Sequence, residues 1–304
     1  MSGPPISLGI RARGLVITMR PRQWVKNGLV VVAPAAAGVL SHASIIRNTA
    51  VSVIAFCLLS SGVYLLNDAR DVDADRAHPT KKNRPLAAGI VSPLLAIVTG
   101  VVLMAGSLAL ATLVPQPTPL LCVLGLYLLL QLAYVYRVKH IPVFELIIVA
   151  SGFFLRALAG ASASHLYVSE WFLVVIGFGA LFLVAGKRSA EIDQLGNGAV
   201  SARTVLKDYT PRFLHHVVVM TGTVVLTGYC LWAFDTSSTG LSSIHHYIVP
   251  IRLTVVPVVI AMLHIMRILD SGQGSAPEDL LLSDRVVQGL VVVWAILFVV
   301  GVYA

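Results

Sequence analysis

Charge is scarce in this chain. Only 12% of its 304 residues are Asp, Glu, Lys or Arg, against 57% hydrophobic, and the mean hydropathy is +0.86. A water-soluble chain of this length needs far more polar surface, which excludes a soluble globular protein. Acidic residues are the scarcer sign: 14, against 22 Lys and Arg, for a net charge of +8. The surplus does not point to nucleic acid, because the basic residues sit between apolar blocks rather than along one polar face. Cysteine is nearly missing too. Cys57, Cys122 and Cys230 lie inside apolar blocks without metal-ligand spacing, so no disulfide framework is implied and they read as small buried hydrophobes. No short apolar core with a small-residue cleavage site opens the chain, so no cleaved signal peptide is expected. No soluble domain or low-complexity tract stands out. Residues 1–304 read as one transmembrane domain, with 1–20 as a cytoplasmic tail.

What is abundant is the long apolar run. A helix needs about 20 apolar residues to cross the hydrocarbon. The runs place nine spans, near 25–43, 49–68, 92–114, 118–137, 142–162, 169–187, 213–234, 246–268 and 286–304. The expected fold is therefore an all-α membrane protein. Pro34 and Pro257 fall inside spans and are expected to kink them. With the N-terminus inside, 19 of the 22 basic residues fall on the cytoplasmic side, as the positive-inside rule requires. Arg156 lies midway along the fifth span, where an arginine is costly and usually functional. It is expected to face a cavity and contact a phosphate or a carboxylate such as Glu145.

The few acidic residues cluster. Residues 67–75 read Asn-Asp-Ala-Arg-Asp-Val-Asp-Ala-Asp. On a continuous helix, Asn67, Asp71 and Asp75 share one face, joined by Asp68. Stacked carboxylates repel unless a cation binds them, and magnesium suits oxygen ligands and bridges to phosphates. Asp73 points off this face. Lys81, Lys82 and Arg84 follow closely, so cations stand beside the carboxylates. Metal on one edge and Lys or Arg on the other is what a diphosphate requires.

These residues resemble a known family. Asn-Asp-x-x-Asp-x-x-x-Asp at 67–75, followed by His-Pro-Thr-Lys and Arg-Pro, is similar to the first motif of the UbiA superfamily of intramembrane prenyltransferases. Arg-Pro-Arg-Gln-Trp-Val-Lys-Asn at 20–27, Gly-Lys-Arg-Ser-Ala-Glu at 186–191, and Pro-Glu-Asp with Ser-Asp-Arg at 277–285 resemble one branch of it. That branch is the decaprenyl-phosphate phosphoribosyltransferases of actinobacterial arabinan synthesis. The resemblance implies nine helices around a central cavity open to the membrane, and a Mg2+-dependent transfer. Phosphoribosyl diphosphate would donate 5-phosphoribose to a polyprenyl phosphate in the plasma membrane, with release of diphosphate.

The second motif departs from the wider superfamily. Where most members carry Asp-x-x-x-Asp, this chain has Lys187, Arg188 and a single well-placed Glu191. Added cations suit two phosphorylated substrates better than a neutral aromatic acceptor. A UbiA-type prenyltransferase of aromatic or glycerol-phosphate acceptors, and a non-enzymatic transporter or lipid-binding protein, stay as alternatives. Under the main reading Asn67, Asp68, Asp71 and Asp75 hold Mg2+ and the donor diphosphate. Lys81 and Arg84 take phosphates. Tyr134 and Lys139 resemble the family's Tyr/Lys motif, and Lys187, Arg188 and Glu191 line the opposite helix end. Gln23 and Lys26 meet the lipid phosphate, and Arg156 completes the catalytic set. The acceptor phosphate is already ionised, so no histidine base is needed. A homo-oligomer is compatible with the sequence but not specified by it.

Overall fold

The computed structural model describes residues 7–196, 204–235, 248–271, 280 and 283–303. Helix α1 (Leu8–Met19) opens the chain within the segment read as a tail. A 3₁₀ stretch (Pro21–Val31) and a short α2 (Val32–Ala36) follow. Then come α3 (Ala43–Arg70), α4 (Val72–Ala77), α5 (Pro93–Ala111), α6 (Thr118–Tyr136) and α7 (Phe144–Ser164). The second half holds α8 (Glu170–Gly196), α9 (Pro211–Phe234), α10 (Ile248–Leu253), α11 (Val255–Asp270) and α12 (Arg285–Tyr303). Among the described residues there is no strand.

Eight of these stretches are long and apolar enough to cross a membrane, with α10 and α11 together forming one, Val249–Asp270. They coincide with eight of the nine expected spans. The first expected span, 25–43, is the exception. Its chain is wound as a 3₁₀ helix of 11 residues, and α2 ends two residues after Pro34. So long a 3₁₀ run is rare and marks a segment set by its surroundings rather than by propensity. Those surroundings are α3 and α7. The backbone lies directly on α7: a Cβ on Gly160 would come within 1.8 Å of the Val30 carbonyl oxygen. Within the Val249–Asp270 span, Pro257 behaves as expected, since the helix breaks at Thr254, three residues before it.

Local rules account for the helix starts. Ser92 and Thr210 cap α5 and α9 by accepting from the N–H groups of Leu95 and Phe213, at 3.3 and 3.1 Å, and a proline follows each cap. Between spans, small residues allow close approach, as lipid-embedded helices require. A Cβ on Gly62 of α3 would meet the Gly100 carbonyl of α5 at 2.7 Å. Helices α3, α5, α6 and α7 share one apolar core, around Phe56, Leu59 and Leu124. Helices α8, α9, α11 and α12 share another, around Phe182, Met262 and Val287. A third cluster, with Leu146, Val184 and Leu214, joins α7 to α8 and α9. The cysteines are not fully buried: Cys57 and Cys230 are half-buried and Cys122 is exposed, which corrects that expectation. In lipid an exposed thiol faces an apolar solvent, so burial is not required of it.

Candidate active site

Ion pairs gather the ends of α3, α6, α7 and α8 at one end of the bundle. Helix α3 runs to Arg70, where Asp71 (φ −89°, ψ 7°) interrupts it before α4. The chain stays wound, because the Asp75 N–H donates to the Asp71 carbonyl at 2.8 Å. Asp68 and Asp75 are 3% and 4% exposed. Asp71 departs from them and turns to Lys139, whose Nζ lies 2.6 Å away. The continuous carboxylate stripe expected over 67–75 is thus divided. Separating one carboxylate from the other two relieves the repulsion that a single helix face would impose.

Each carboxylate has a cation. Arg84 Nη1 lies 2.8 Å from Asp75 and 3.4 Å from Asp68. Lys81 Nζ stands 4.0 Å from Asp75. The Asn67 side chain is near Asp68. The turn that returns Lys81 and Arg84 is fastened by His78, whose Nδ1 accepts from the Thr80 and Lys81 N–H groups at 3.3 Å each. Lys82 is exposed and Asp73 pairs only with its neighbour Arg76, at 3.0 Å. One cation was not singled out from sequence. Arg20 Nη2 lies 2.7 Å from Asp68, and its guanidinium stacks on Tyr64 at 4.7 Å. The Arg20-Pro21 step opening the 20–27 motif was the available signal.

A second cluster stands where α7 begins and α8 ends. Arg188 is 2% exposed and Glu145 fully buried. Arg188 Nε and Nη2 donate to the two Glu145 oxygens at 2.8 and 3.0 Å, and Nη1 donates to Glu191 at 3.1 Å. Arg188 is thus held by two carboxylates, Glu145 and Glu191, at the helix end where it was expected. Tyr134 lies in the electrostatic range of Arg188, and Lys187 is half-buried beside it. Just before Glu145 the chain makes a γ-turn at Val143 (φ 66°, ψ −51°), with the Phe144 N–H donating to the Pro142 carbonyl at 2.8 Å. A β-branched residue is strained there. The Tyr209 hydroxyl holds it by accepting from the Val143 N–H at 2.8 Å. Burial pushes the Tyr209 phenol above its usual range, against the opposing effect of that hydrogen bond.

Arg156 is 7% exposed and does not reach Glu145, which corrects the expected pairing. Glu145 is already held by Arg188. Arg156 instead donates to neutral acceptors: Asn27 Oδ1 at 2.7 Å, the Gly152 carbonyl at 2.6 Å and the Tyr127 hydroxyl at 3.0 Å. It also sits over the Phe56 and Tyr127 rings, at 5.6 and 5.0 Å. It thereby pins the 3₁₀ stretch to α6 and α7. That stretch carries Gln23, half-buried, and Lys26, whose ammonium lies 5.5 Å from the Phe153 ring. Trp24 donates to Ser61 at 3.1 Å. The Pro277-Glu278-Asp279 part of the last motif, and His245 and His246, lie outside the described residues.

Among the described residues, no three His, Cys, Asp or Glu groups converge tightly enough to hold a metal. The smaller Asp68–Asp75 pair does fit a divalent cation. Both carboxylates already meet on one positive group, Arg84, so the space between them favours positive charge. Mg2+ is commonly bound by one or two carboxylates together with substrate phosphates, not by an all-protein cage.

The chain matches the UbiA prenyltransferase family over residues 29–283. It is 42% identical over 302 residues to the decaprenyl-phosphate phosphoribosyltransferase of Corynebacterium glutamicum, covering 99% of this chain and 89% of that one. It is 40% identical to the protein of the same name from Mycolicibacterium smegmatis, covering 96% and 92%. In fold it is similar to a UbiA homologue from Archaeoglobus fulgidus solved with DMAPP and Mg2+, with a TM-score of 0.71, 16% identity, and coverage of 94% of this chain and 97% of that one. A family match along most of the chain and close relatives along nearly all of it show that this multi-pass membrane protein belongs to the UbiA prenyltransferase family.

Proposed function

We propose that the chain transfers 5-phosphoribose from phosphoribosyl diphosphate to a polyprenyl phosphate, releasing diphosphate, with Mg2+ as cofactor. The observation that carries this reading is the surplus of cations at the site. Arg20, Lys81, Arg84 and Lys139 converge on three carboxylates, leaving one positive charge over, to which Mg2+ would add two more for a polyanionic substrate to balance. The names of the relatives at 40–42% identity support the same transferred group and a polyprenyl-phosphate acceptor. The concentration of basic residues at one end supports a site on the cytoplasmic face of the plasma membrane, with the N-terminus inside.

The reaction is a displacement at the ribose anomeric carbon with an oxocarbenium-like transition state, by analogy with glycosyl transfer. Asp68 and Asp75, with Asn67 orienting Asp68, would hold Mg2+, which supplies charge neutralisation to the leaving diphosphate. Lys81 and Arg84 stabilise the charge that develops on the same leaving group. Asp71 holds Lys139 at the site's edge, where its ammonium reaches a phosphate. Gln23 and Lys26, on the 3₁₀ stretch, meet the acceptor phosphate at the membrane edge. That phosphate is already ionised and attacks without a strong base. The Glu145–Arg188–Glu191 cluster sets the opposite wall, with Lys187 next to Arg188 in the chain.

The test uses the purified chain in vesicles containing a polyprenyl phosphate, with donor labelled in the ribose. Label should enter the lipid fraction only when Mg2+ is present. Transfer from a prenyl diphosphate to an aromatic acid instead, with no ribose label in lipid, would replace this reading.

A further inference from the structure

Arg20 occupies an unusual place. It ends α1 in the left-handed region, at φ 55° and ψ 59°, with its N–H donating to the Ile17 carbonyl at 3.1 Å. Helices often end this way, but with glycine, because a side chain is strained there. An arginine kept in that conformation is held by what its side chain does. Its side chain reaches Asp68, 48 positions along the chain, at 2.7 Å, and lies flat on Tyr64. The left-handed turn brings the guanidinium to the same Asp68 oxygen, Oδ1, that Arg84 reaches.

Asp68 therefore carries two cations, Arg20 at 2.7 Å and Arg84 at 3.4 Å, and Arg84 is shared with Asp75. A divalent ion that takes Asp68 must share the carboxylate with Arg20 or displace it. Two positive centres a few ångströms apart repel by several kcal/mol at an effective dielectric of about 20. The repulsion is relieved if Arg20 turns away, and an anion arriving with the metal offers it a new partner. Arg20 is 31% exposed at its side chain, so it has room to turn from Asp68 to such an anion. A planar guanidinium suits two phosphate oxygens as well as it suits a carboxylate.

Resting on the diphosphate donor proposed above, we infer that Arg20 is a built-in counter-ion of Asp68. It passes to the donor's diphosphate when metal binds, so that the chain takes up Mg2+ only together with its donor. Arg20 is then a substrate-binding residue whose second partner is Asp68. By linkage, the factor by which diphosphate tightens metal binding is also the factor by which metal tightens diphosphate.

Equilibrium dialysis of the full chain in detergent against Mn2+, a Mg2+ stand-in, tests this with no turnover involved. The probes are Mn2+ alone and Mn2+ with inorganic diphosphate. The native chain should hold Mn2+ weakly alone and about 5- to 150-fold more tightly with diphosphate. Arg20→Ala should hold Mn2+ alone about tenfold more tightly than the native chain, with most of the diphosphate effect lost. Arg20→Lys keeps the charge and guards against a misfolded alanine variant; it should stay near native in Mn2+ alone. If Arg20→Ala binds Mn2+ as the native chain does, with the same gain from diphosphate, the counter-ion role is overturned while the donor reading stands. If neither chain holds Mn2+ even with diphosphate, the metal site of the proposed function falls as well.

Discussion

Arg188 grips Glu145 with both arms of its guanidinium, at 2.8 and 3.0 Å, in a place where Glu145 has no exposed surface. The pair ties the start of α7 to the end of α8 across 43 positions of sequence. Removing Arg188 leaves Glu145 buried and uncompensated, which costs about 3–5 kcal/mol, and removing Glu145 leaves Arg188 with Glu191 alone. Arg188→Ala and Glu145→Ala should each lower the melting temperature of the solubilised protein sharply. Replacing both by leucine should cost less than the sum of the two. A thermal melt of the three variants checks this, and equal, additive losses would contradict the pairing.

Gly160→Ala should be poorly tolerated. The added methyl would fall 1.8 Å from the Val30 carbonyl, so the 3₁₀ stretch must move off α7. Overpacking of this kind costs about 1–3 kcal/mol or more. Because the stretch carries Gln23 and Lys26, KM for the lipid acceptor should rise with it. Gly106→Ala is the control: nothing lies within 4 Å, and helix propensity favours alanine by about 0.5–1 kcal/mol. A melt that ranks Gly106→Ala at or above native and Gly160→Ala well below it is expected.

Arg156 and Asn27 should behave as a coupled pair. Either single alanine variant leaves a buried polar partner unsatisfied, at about 1–3 kcal/mol. The double variant should lose little more than Arg156→Ala alone, because the 2.7 Å bond between them is already gone. A double-mutant cycle on thermal stability measures the coupling, and strict additivity would remove the pinning role.

The spans were legible because lipid leaves a plain mark: eight apolar runs became eight helices, with ends displaced by a few residues. The run at 25–43 read the same way and folded differently. Its apolar content says nothing about the close backbone contact of Val30 with Gly160, or about Asn27 serving Arg156 from 129 positions away. The site divides similarly. Asp68, Asp75, Lys81 and Arg84 could be grouped because they lie within 17 residues on one helix end and its return turn. Arg20 on Asp68, Lys139 on Asp71 and Arg188 on Glu145 are separated by 48, 68 and 43 positions, where helical periodicity carries no information. The partner of Arg188 could not be named for that reason. An arginine beside a lysine at a span end looks available to a phosphate until its buried partner is seen.

The most direct measurement is a single-turnover transfer assay on purified protein, with donor labelled in the ribose, comparing Asp75→Asn with Asp73→Asn. Asp75 is buried against Arg84, whereas Asp73 has 87% of its side chain exposed and pairs with Arg76. The native chain and Asp73→Asn should release one diphosphate for each labelled ribose entering the lipid. Asp75→Asn should lose at least about a hundredfold in rate, the scale of removing one group that stabilises developing charge. Full turnover by Asp75→Asn, or ribose label that never reaches the lipid, would contradict the assignment of this cluster as the site of sugar transfer.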